Sequence, residues 1–396
     1  MINGKASPAQ QSDEVQAKVQ HFIQLAVQGL VPMFDQQRQI FCHRLKKTEH
    51  GLVQEGLSPR YTMMTLMGLH RFEEAGGTSP IDARPVLEAL LTNLDWVDNI
   101  GDLGLVLWLC ALIAPDRLAD LRNRLQPETA LVRYRGAKHG ITMELAWFLT
   151  GISYWGLACP EKLPELQDLA FKTYTLLKQN QGEGAFFGHL STDKSFIGRL
   201  RGRVGSFADQ VYPIYAMTQF YKAYQNEEAA KRAMDCGLAL CKAQGPLGQW
   251  WWHYDSAHGK VAEGYPVFSV HQHAMGPMTL FALGETMQYD FTPFIYKGLE
   301  WISNNELGFD MENSSASLVW RSIYRSRFAF AKYWNAGFGR HSESIQHDRR
   351  DGLRVRYECR PYELGWLLYA FATRAKKATT IDAEVALRSS GSFAGS

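Results

Sequence analysis

Two kinds of helical segment alternate along this chain, and that alternation limits the folds open to it. Apolar residues recur at three- and four-residue spacings almost throughout, while alternating strand-like runs are nearly absent. Six segments, at 60–75, 102–114, 139–157, 207–225, 267–284 and 361–373, are hydrophobic nearly all round, as helices surrounded by protein are. Between them lie more polar segments near 83–93, 116–125, 163–180, 227–243 and 290–304. Apolar inner helices alternating with amphipathic outer ones describe a closed ring of helical hairpins. The outer partner near the C-terminus has no clear signal.

A repeat runs through the polar segments. Gln244 leads into Gly245-Pro246-Leu247-Gly248-Gln249-Trp250, a Gln-x3-Gly-x-Trp pattern closing a helix. Upstream, Gln181 leads to Gly184-Ala185-Phe186; downstream, Lys297-Gly298-Leu299-Glu300-Trp301-Ile302 leads to Asn305-Glu306-Leu307-Gly308-Phe309. Gln181, Gln244 and Asn305 are 63 and 61 residues apart, long for a bare helical hairpin, so each unit carries a sizeable loop. The bland reading of these amides is structural: they cap helix ends while Gly-x-aromatic locks the turn. The segments resemble the QW repeats of terpenoid cyclases and protein prenyltransferases, and are similar to the Gln-x-x-Gly-x-Trp turns of six-hairpin polysaccharide-active enzymes. The resemblance covers about residues 50–375 and implies the fold class: all-α, an (α/α)6 toroid with six inner and about six outer helices. It implies also that long loops feed the inner helices at one end of the barrel and that this end holds the site. Fold alone does not fix the chemistry. The domain reading is an N-terminal helical cap at 1–48 (helical over 12–46), the toroid at 49–376 and a flexible tail at 377–396.

Lys plus Arg is 42 and Asp plus Glu is 40, a net charge of +2 that gives no reason to expect a nucleic-acid binder. The longest uncharged apolar run, Leu103 to Pro115, is too short to span a bilayer. The opening MINGKASPAQQSDEVQ lacks the apolar core of a signal peptide. Six scattered Cys, with no CxxC, read as reduced thiols, so a cytoplasmic protein is expected.

Almost every inner helix opens on an ionisable group: Arg60-Tyr61, Asp102, His139 with Glu144, Asp209, His271 with His273, and Arg360 with Glu363. An acid in a first turn is favourable in itself, because free N–H groups and the macrodipole attract it. Six such starts converging on one mouth would nevertheless concentrate carboxylates and imidazoles around a single cavity, which acid–base chemistry requires. Asp209, Glu144, His271, His273, Glu363 and Asp102 are therefore the catalytic candidates. Glu144 and Asp209 are the favoured pair, against a competing account as structural ion pairs. Glu144 is a carboxylate inside an otherwise apolar helix and must be paired or face water. His271 and His273 splay by about 200° on a helix, so only one can face the cavity. No third ligand stands at recognisable spacing, and neither a metal nor a cofactor is expected.

The densest stretch is Trp250-Trp251-Trp252-His253-Tyr254-Asp255 followed by Glu263. Three consecutive Trp cannot all enter one core, and an indole face suits a sugar ring or a carbocation. Trp250, Trp251, Trp252, Tyr254, Asp255, Glu263, Tyr212, His139, Arg203 and Arg360 are the substrate-binding candidates. Arginines crowd the loops: Arg199, Arg201 and Arg203, then Arg321, Arg325, Arg327, Arg340, Arg349, Arg350, Arg354, Arg356 and Arg360. Guanidinium groups fit carboxylate and phosphate, so the substrate expected is anionic.

Three functions follow. The first is a carbohydrate-active hydrolase, lyase or epimerase working on an acidic oligosaccharide. The second is a terpenoid-cyclase-like enzyme whose aromatics stabilise cations. Against it, Asp-x-Asp-Asp is absent (Asp98-Asn99-Ile100-Gly101-Asp102 is the nearest approach), as are Asp-Asp-x-x-Asp and the Asp-x-Cys…His zinc set of protein prenyltransferases. The third is a non-catalytic toroid that binds a glycan or a protein.

Overall fold

The structure, a computed structural model, describes residues 8–136, 141–189, 202–325 and 352–375. Among them the helices are, in chain order, α1 (Pro8–Leu30), α2 (Pro59–Glu74), α3 (Ala83–Thr92), α4 (Ile100–Ile113), α5 (Leu118–Leu125), α6 (Pro127–Gly136), α7 (Thr142–Ala158), α8 (Leu163–Lys178), α9 (Ala208–Tyr224), α10 (Glu227–Ala243), α11 (Gly276–Met287), α12 (Thr292–Glu300) and α13 (Pro361–Phe371). A π-helical turn, His271–Met275, leads into α11.

Six of these helices form a closed inner ring: α2 packs on α4, α4 on α7, α7 on α9, α9 on α11, α11 on α13, and α13 back on α2. The fold is an (α/α)6 toroid. The inner helices are buried on every side, as their uninterrupted apolar composition demands; α4 buries all but two of its residues. Outer helices cover them with one face each: α10 turns in Ala229, Ala233, Cys236 and Leu240, spaced at three and four. The outer neighbour of α13 is α1, which buries Val19, Phe22, Ile23, Ala26 and Leu30. The helix expected over 12–46 therefore stops at Leu30. The chain then turns extended, because Pro32 closes the helix and the following residues join a sheet.

Two inner helices approach each other through glycine. A Cβ on Gly151 of α7 would lie 2.2 Å from the Gly104 carbonyl oxygen of α4, and one on Gly104 would lie 2.4 Å from the Phe148 backbone. Inside the ring, Trp108 stacks on Tyr154, Tyr215 and Trp366 with centroids 5.2 to 5.4 Å apart. This layer of rings closes the barrel across its middle.

Inner helices are followed by short turns, such as Ile113 to Leu118 and Tyr224 to Glu227, and each outer helix then runs back. All six inner helices thus point the same way. The segments that feed their N-termini are generally longer, and they hold the strands: β1 (Phe34–Asp35), β2 (Ile40–Thr48), β3 (Gly51–Leu57), β4 (Val204–Ser206), β5 (His253–Asp255), β6 (Lys260–Glu263), β7 (Val267–Phe268), β8 (Glu312–Asn313), β9 (Leu318–Val319), β10 (Ser322–Arg325), β11 (Leu353–Arg356) and β12 (Glu358–Cys359). The sequence shows none of these because most are too short for an alternating pattern. The hairpin β2–β3 accepts β12 on its other edge, pairing Cys359 with Leu45 and so joining the two ends of the ring.

The repeated amides are turn locks. Each donates to a carbonyl four residues on: Gln181 to Ala185 (2.9 Å), Gln244 to Gly248 (3.1 Å), Asn305 to Phe309 (2.6 Å). Gln181 and Gln244 also reach the next outer helix, at the Arg232 and Phe294 carbonyls. Every such turn contains a positive φ, at Ala185 (67°), Gly248 (96°) or Gly308 (59°), where a side chain is disfavoured. A second repeated contact, unseen in the sequence, stitches each turn to the inner helix: Gln210 bonds both backbone groups of Phe187, and Gln272 both of Trp250.

Candidate functional site

A cavity of about 180 Å³ opens where the inner helices begin. Its aromatic walls are Trp147, Trp252 and Phe268; Arg60, Arg321, Tyr61, Tyr212, Tyr362 and His271 supply the polar atoms. The volume suits a single ring-sized group rather than a long apolar chain.

Arg60 lies in the first turn of α2, set by the Ser58 cap. Asp102 fixes it from α4 in a two-point ion pair, Nε to Oδ1 at 2.6 Å and a terminal nitrogen to Oδ2 at 2.9 Å, while Asn99 donates a third bond at 3.0 Å. The guanidinium also lies 5.7 Å above the Trp147 ring. Asp102, 2% exposed, is thus engaged in holding an arginine at the cavity wall. Glu363 has a similar task. It caps α13 by accepting from the Arg360 N–H and pairs closely with Arg321, whose guanidinium faces Phe268 at 4.9 Å. Glu358 braces the same cluster, at 3.2 Å from Arg321, 3.1 Å from Arg360 and 2.8 Å from Arg44. Burial alone would raise the Glu358 carboxyl, but Arg360, Arg321 and Arg44 outweigh it and hold it below the usual glutamate range. Arg360 itself donates to the Tyr61 hydroxyl at 2.8 Å.

Glu144 differs from these acids. It stands in the first turn of α7, partly buried, and its carboxylate has neither a hydrogen bond nor an ion pair among the described residues. Burial pushes its pKa up to about 6; Arg60 and His189 oppose the rise and Asp102 adds to it. It is a carboxyl group able to carry a proton near neutral pH, within the field of the arginine and imidazole at the mouth.

Asp209, 1% exposed in α9, turns one oxygen to three donors: the Ser206 N–H and hydroxyl, each at 2.8 Å, and Nδ1 of His189 at 2.9 Å. Its other oxygen is buried without a partner. Asp209 therefore holds His189, whose carbonyl accepts from the Thr142 N–H at 3.0 Å and so sits against the start of α7; neither Asp209 nor His189 lines the cavity. Sequence reasoning missed His189. The available signal is its place in Phe187-Gly188-His189, directly after the Gln181 turn.

The π-helical turn separates the two histidines. His271 lines the cavity, stacked on Phe207 (4.3 Å) and nearly parallel to Trp252 (6.1 Å); His273 is buried elsewhere. Burial pulls both pKa values down to about 3, so each imidazole is neutral at physiological pH. Of the three tryptophans, Trp252 faces the cavity. Trp250 is fully buried, and Trp251 donates to the Ala243 carbonyl at 3.0 Å. Tyr212 lines the cavity floor and accepts from the Trp366 N–H at 3.0 Å. Tyr254 and Asp255 are fully buried, and Glu263 bonds His253 at 2.9 Å. Arg203 is exposed beside β4 and does not line the cavity. His139, Arg199, Arg201, Arg327, Arg340, Arg349 and Arg350, like the expected tail at 377–396, lie outside the described residues.

No family model matches the sequence, and neither does any curated protein. Solved structures do match. The chain is similar to an unsaturated glucuronyl hydrolase specific for heparin (16% identity, TM-score 0.55, covering 92% of this chain and 97% of that one). It is similar also to an unsaturated glucuronyl hydrolase from a Bacillus species responsible for the degradation of glycosaminoglycan (13%, 0.55, 91% and 96%). A third match is a possible member of the GH105 family from Salmonella enterica (10%, 0.57, 94% and 95%). At such identities the likeness defines the class of fold, the (α/α)6 toroid, across nearly the whole of each chain.

Proposed function

We propose that this chain is a carbohydrate-active enzyme acting on an acidic oligosaccharide, with a terminal uronate ring seated in the mouth cavity. The observation that carries the reading is a pair of braced arginines over aromatic walls, with an unpartnered carboxyl raised to about 6, Glu144, standing next in the chain to the lining residue Met143 and within the field of Arg60. Trp252 and Trp147 offer faces to the sugar, Arg321 and Arg60 offer charge-assisted bonds to its carboxylate, and the tyrosine hydroxyls serve its ring oxygens. The solved toroids of similar fold that are named glucuronyl hydrolases support the substrate class.

Ordinary glycoside hydrolysis uses two carboxylates flanking the bond. Here Asp102 and Glu363 are committed to arginines and Asp209 to Ser206 and His189. That leaves one acid, Glu144, to deliver a proton and one Asp-oriented imidazole, His189, to relay one. The set suits chemistry that begins with a single protonation of the uronate ring or of its leaving oxygen. Arginines held in place by carboxylates fix the substrate without reorganising during the step.

A thermal-shift screen tests the substrate class. Uronate-capped disaccharides should raise the melting temperature, neutral disaccharides should not, and Arg321→Ala should erase the response. A response to prenyl diphosphates alone would overturn the reading in favour of a cyclase-like cavity.

A further inference from the structure

The barrel has a second cavity at its other end, where the inner helices finish. It measures about 250 Å³ and is separated from the mouth by the Trp108 layer. Tyr154, Tyr215 and Tyr369 form its apex, their hydroxyls closing a hydrogen-bonded triangle with sides of 2.6, 2.9 and 2.8 Å. Arg71, Lys222 and Arg374 surround it, and Gln219 lines the wall.

Cations at helix C-termini have a bland explanation, since they offset the macrodipole, and Arg71 and Lys222 both stand in last turns. Two of the three are also engaged. Arg71 pairs with Glu74 at 2.8 Å and lies 5.1 Å over the Tyr369 ring, while Arg374 pairs closely with Glu285. The bland account leaves two features unexplained. Gln219 is 3% exposed, yet its amide has no hydrogen-bond partner among the described residues and borders the cavity. With no protein partner and with its polar atoms facing the cavity, the amide is free to bond to something that enters. Lys222, at the rim, has neither a hydrogen bond nor an ion pair among the described residues. Its pKa is lowered by burial, against the pull of Glu285 and with the push of Arg71 and Arg374. Glu285 also lines the cavity but is paired with Arg374, so the unpaired charge at the rim is that of Lys222, beside an amide without a protein partner.

We infer that this cavity is a second binding site, for a small oxyanion such as a carboxylate or phosphate, held by Lys222, the Gln219 amide and Arg71. It does not depend on what the mouth binds. Calorimetric titration of the full chain with inorganic phosphate, glucuronate and glucose tests it. At least one anion should bind saturably, glucose should not, and added salt should weaken the binding. Phosphate or glucuronate alone responding names the ligand as phosphate or carboxylate. Lys222→Ala, a rim substitution that spares the core, should weaken that binding at least fivefold, and so should Gln219→Leu. Arg321→Ala, at the opposite end, should leave a saturable site intact. No binding by either anion, equal binding of glucose, or loss in Arg321→Ala with retention in Lys222→Ala would overturn the site.

Discussion

Glu144 concentrates the residue-scale physics of this protein. A carboxyl raised from 4.5 to about 6 by burial disfavours the folded state once it must ionise. The sign follows from which state holds the proton more tightly. Below the unfolded value both states are protonated and nothing is lost. Between about 4.5 and 6 the native state resists ionisation and stability falls, and above 6 the full penalty stands, about 2 kcal/mol at most. Glu144→Gln should therefore raise the melting temperature at pH 8, leave it unchanged at pH 4, and lower turnover by about 10²–10⁴-fold. Chemical or thermal denaturation at the two pH values checks the first part; an equal effect at both would mean that the carboxyl is not buried as described. The tryptophan run divides similarly. Trp252→Ala should weaken saccharide binding by about 1–3 kcal/mol with little change in fold stability. Trp250→Ala should cost about 3–5 kcal/mol of stability, measured by denaturant unfolding. The sequence shows that three adjacent indoles cannot share one core, but only the loop geometry decides which of them faces the cavity.

At the scale of elements, what could be read from sequence is what is local. The inner helices are legible because residues such as Leu103–Ala111 are apolar without a break, and the turn locks are legible because a Gln or Asn sits four residues from the carbonyl it ties. Contacts between elements leave no such trace. The bond between Gln272 and Trp250 spans 22 residues, and the ion pair of Arg321 with Glu363 spans 42. Nothing in either residue announces its partner, so Glu363 and Asp102 look like free acids until their arginines are found. Gln244→Ala should cost about 1–3 kcal/mol, because it strands the Gly248 and Phe294 carbonyls at once. Gly151→Val should cost more, since the added carbons meet the α4 backbone rather than a movable side chain. Denaturant midpoints compared with wild type decide both; a neutral Gly151→Val would contradict the close approach of α4 and α7.

For the molecule as a whole, closure is the property that sequence periodicity cannot convey. The last inner helix finds its outer partner at the far end of the chain in α1, and β12 pairs with β2 across more than 300 residues. Closure gives the mouth its rigidity, because arginines on α2 and on the β9–β10 segment meet only when first and last hairpins touch. A chain lacking 8–30 should lose its single cooperative unfolding transition, having exposed the face of α13 that Phe22, Ile23 and Ala26 cover.

The central claim is that the mouth cavity delivers a proton from Glu144 to an acidic sugar. The measurement that tests it most directly is the pH–rate profile of turnover on a uronate-capped disaccharide, beside a neutral analogue. The account predicts turnover of the acidic sugar only, falling as pH rises through about 6, with that fall lost from the residual turnover of Glu144→Gln. Equal turnover of the neutral sugar, or an unchanged alkaline limb in Glu144→Gln, would contradict it.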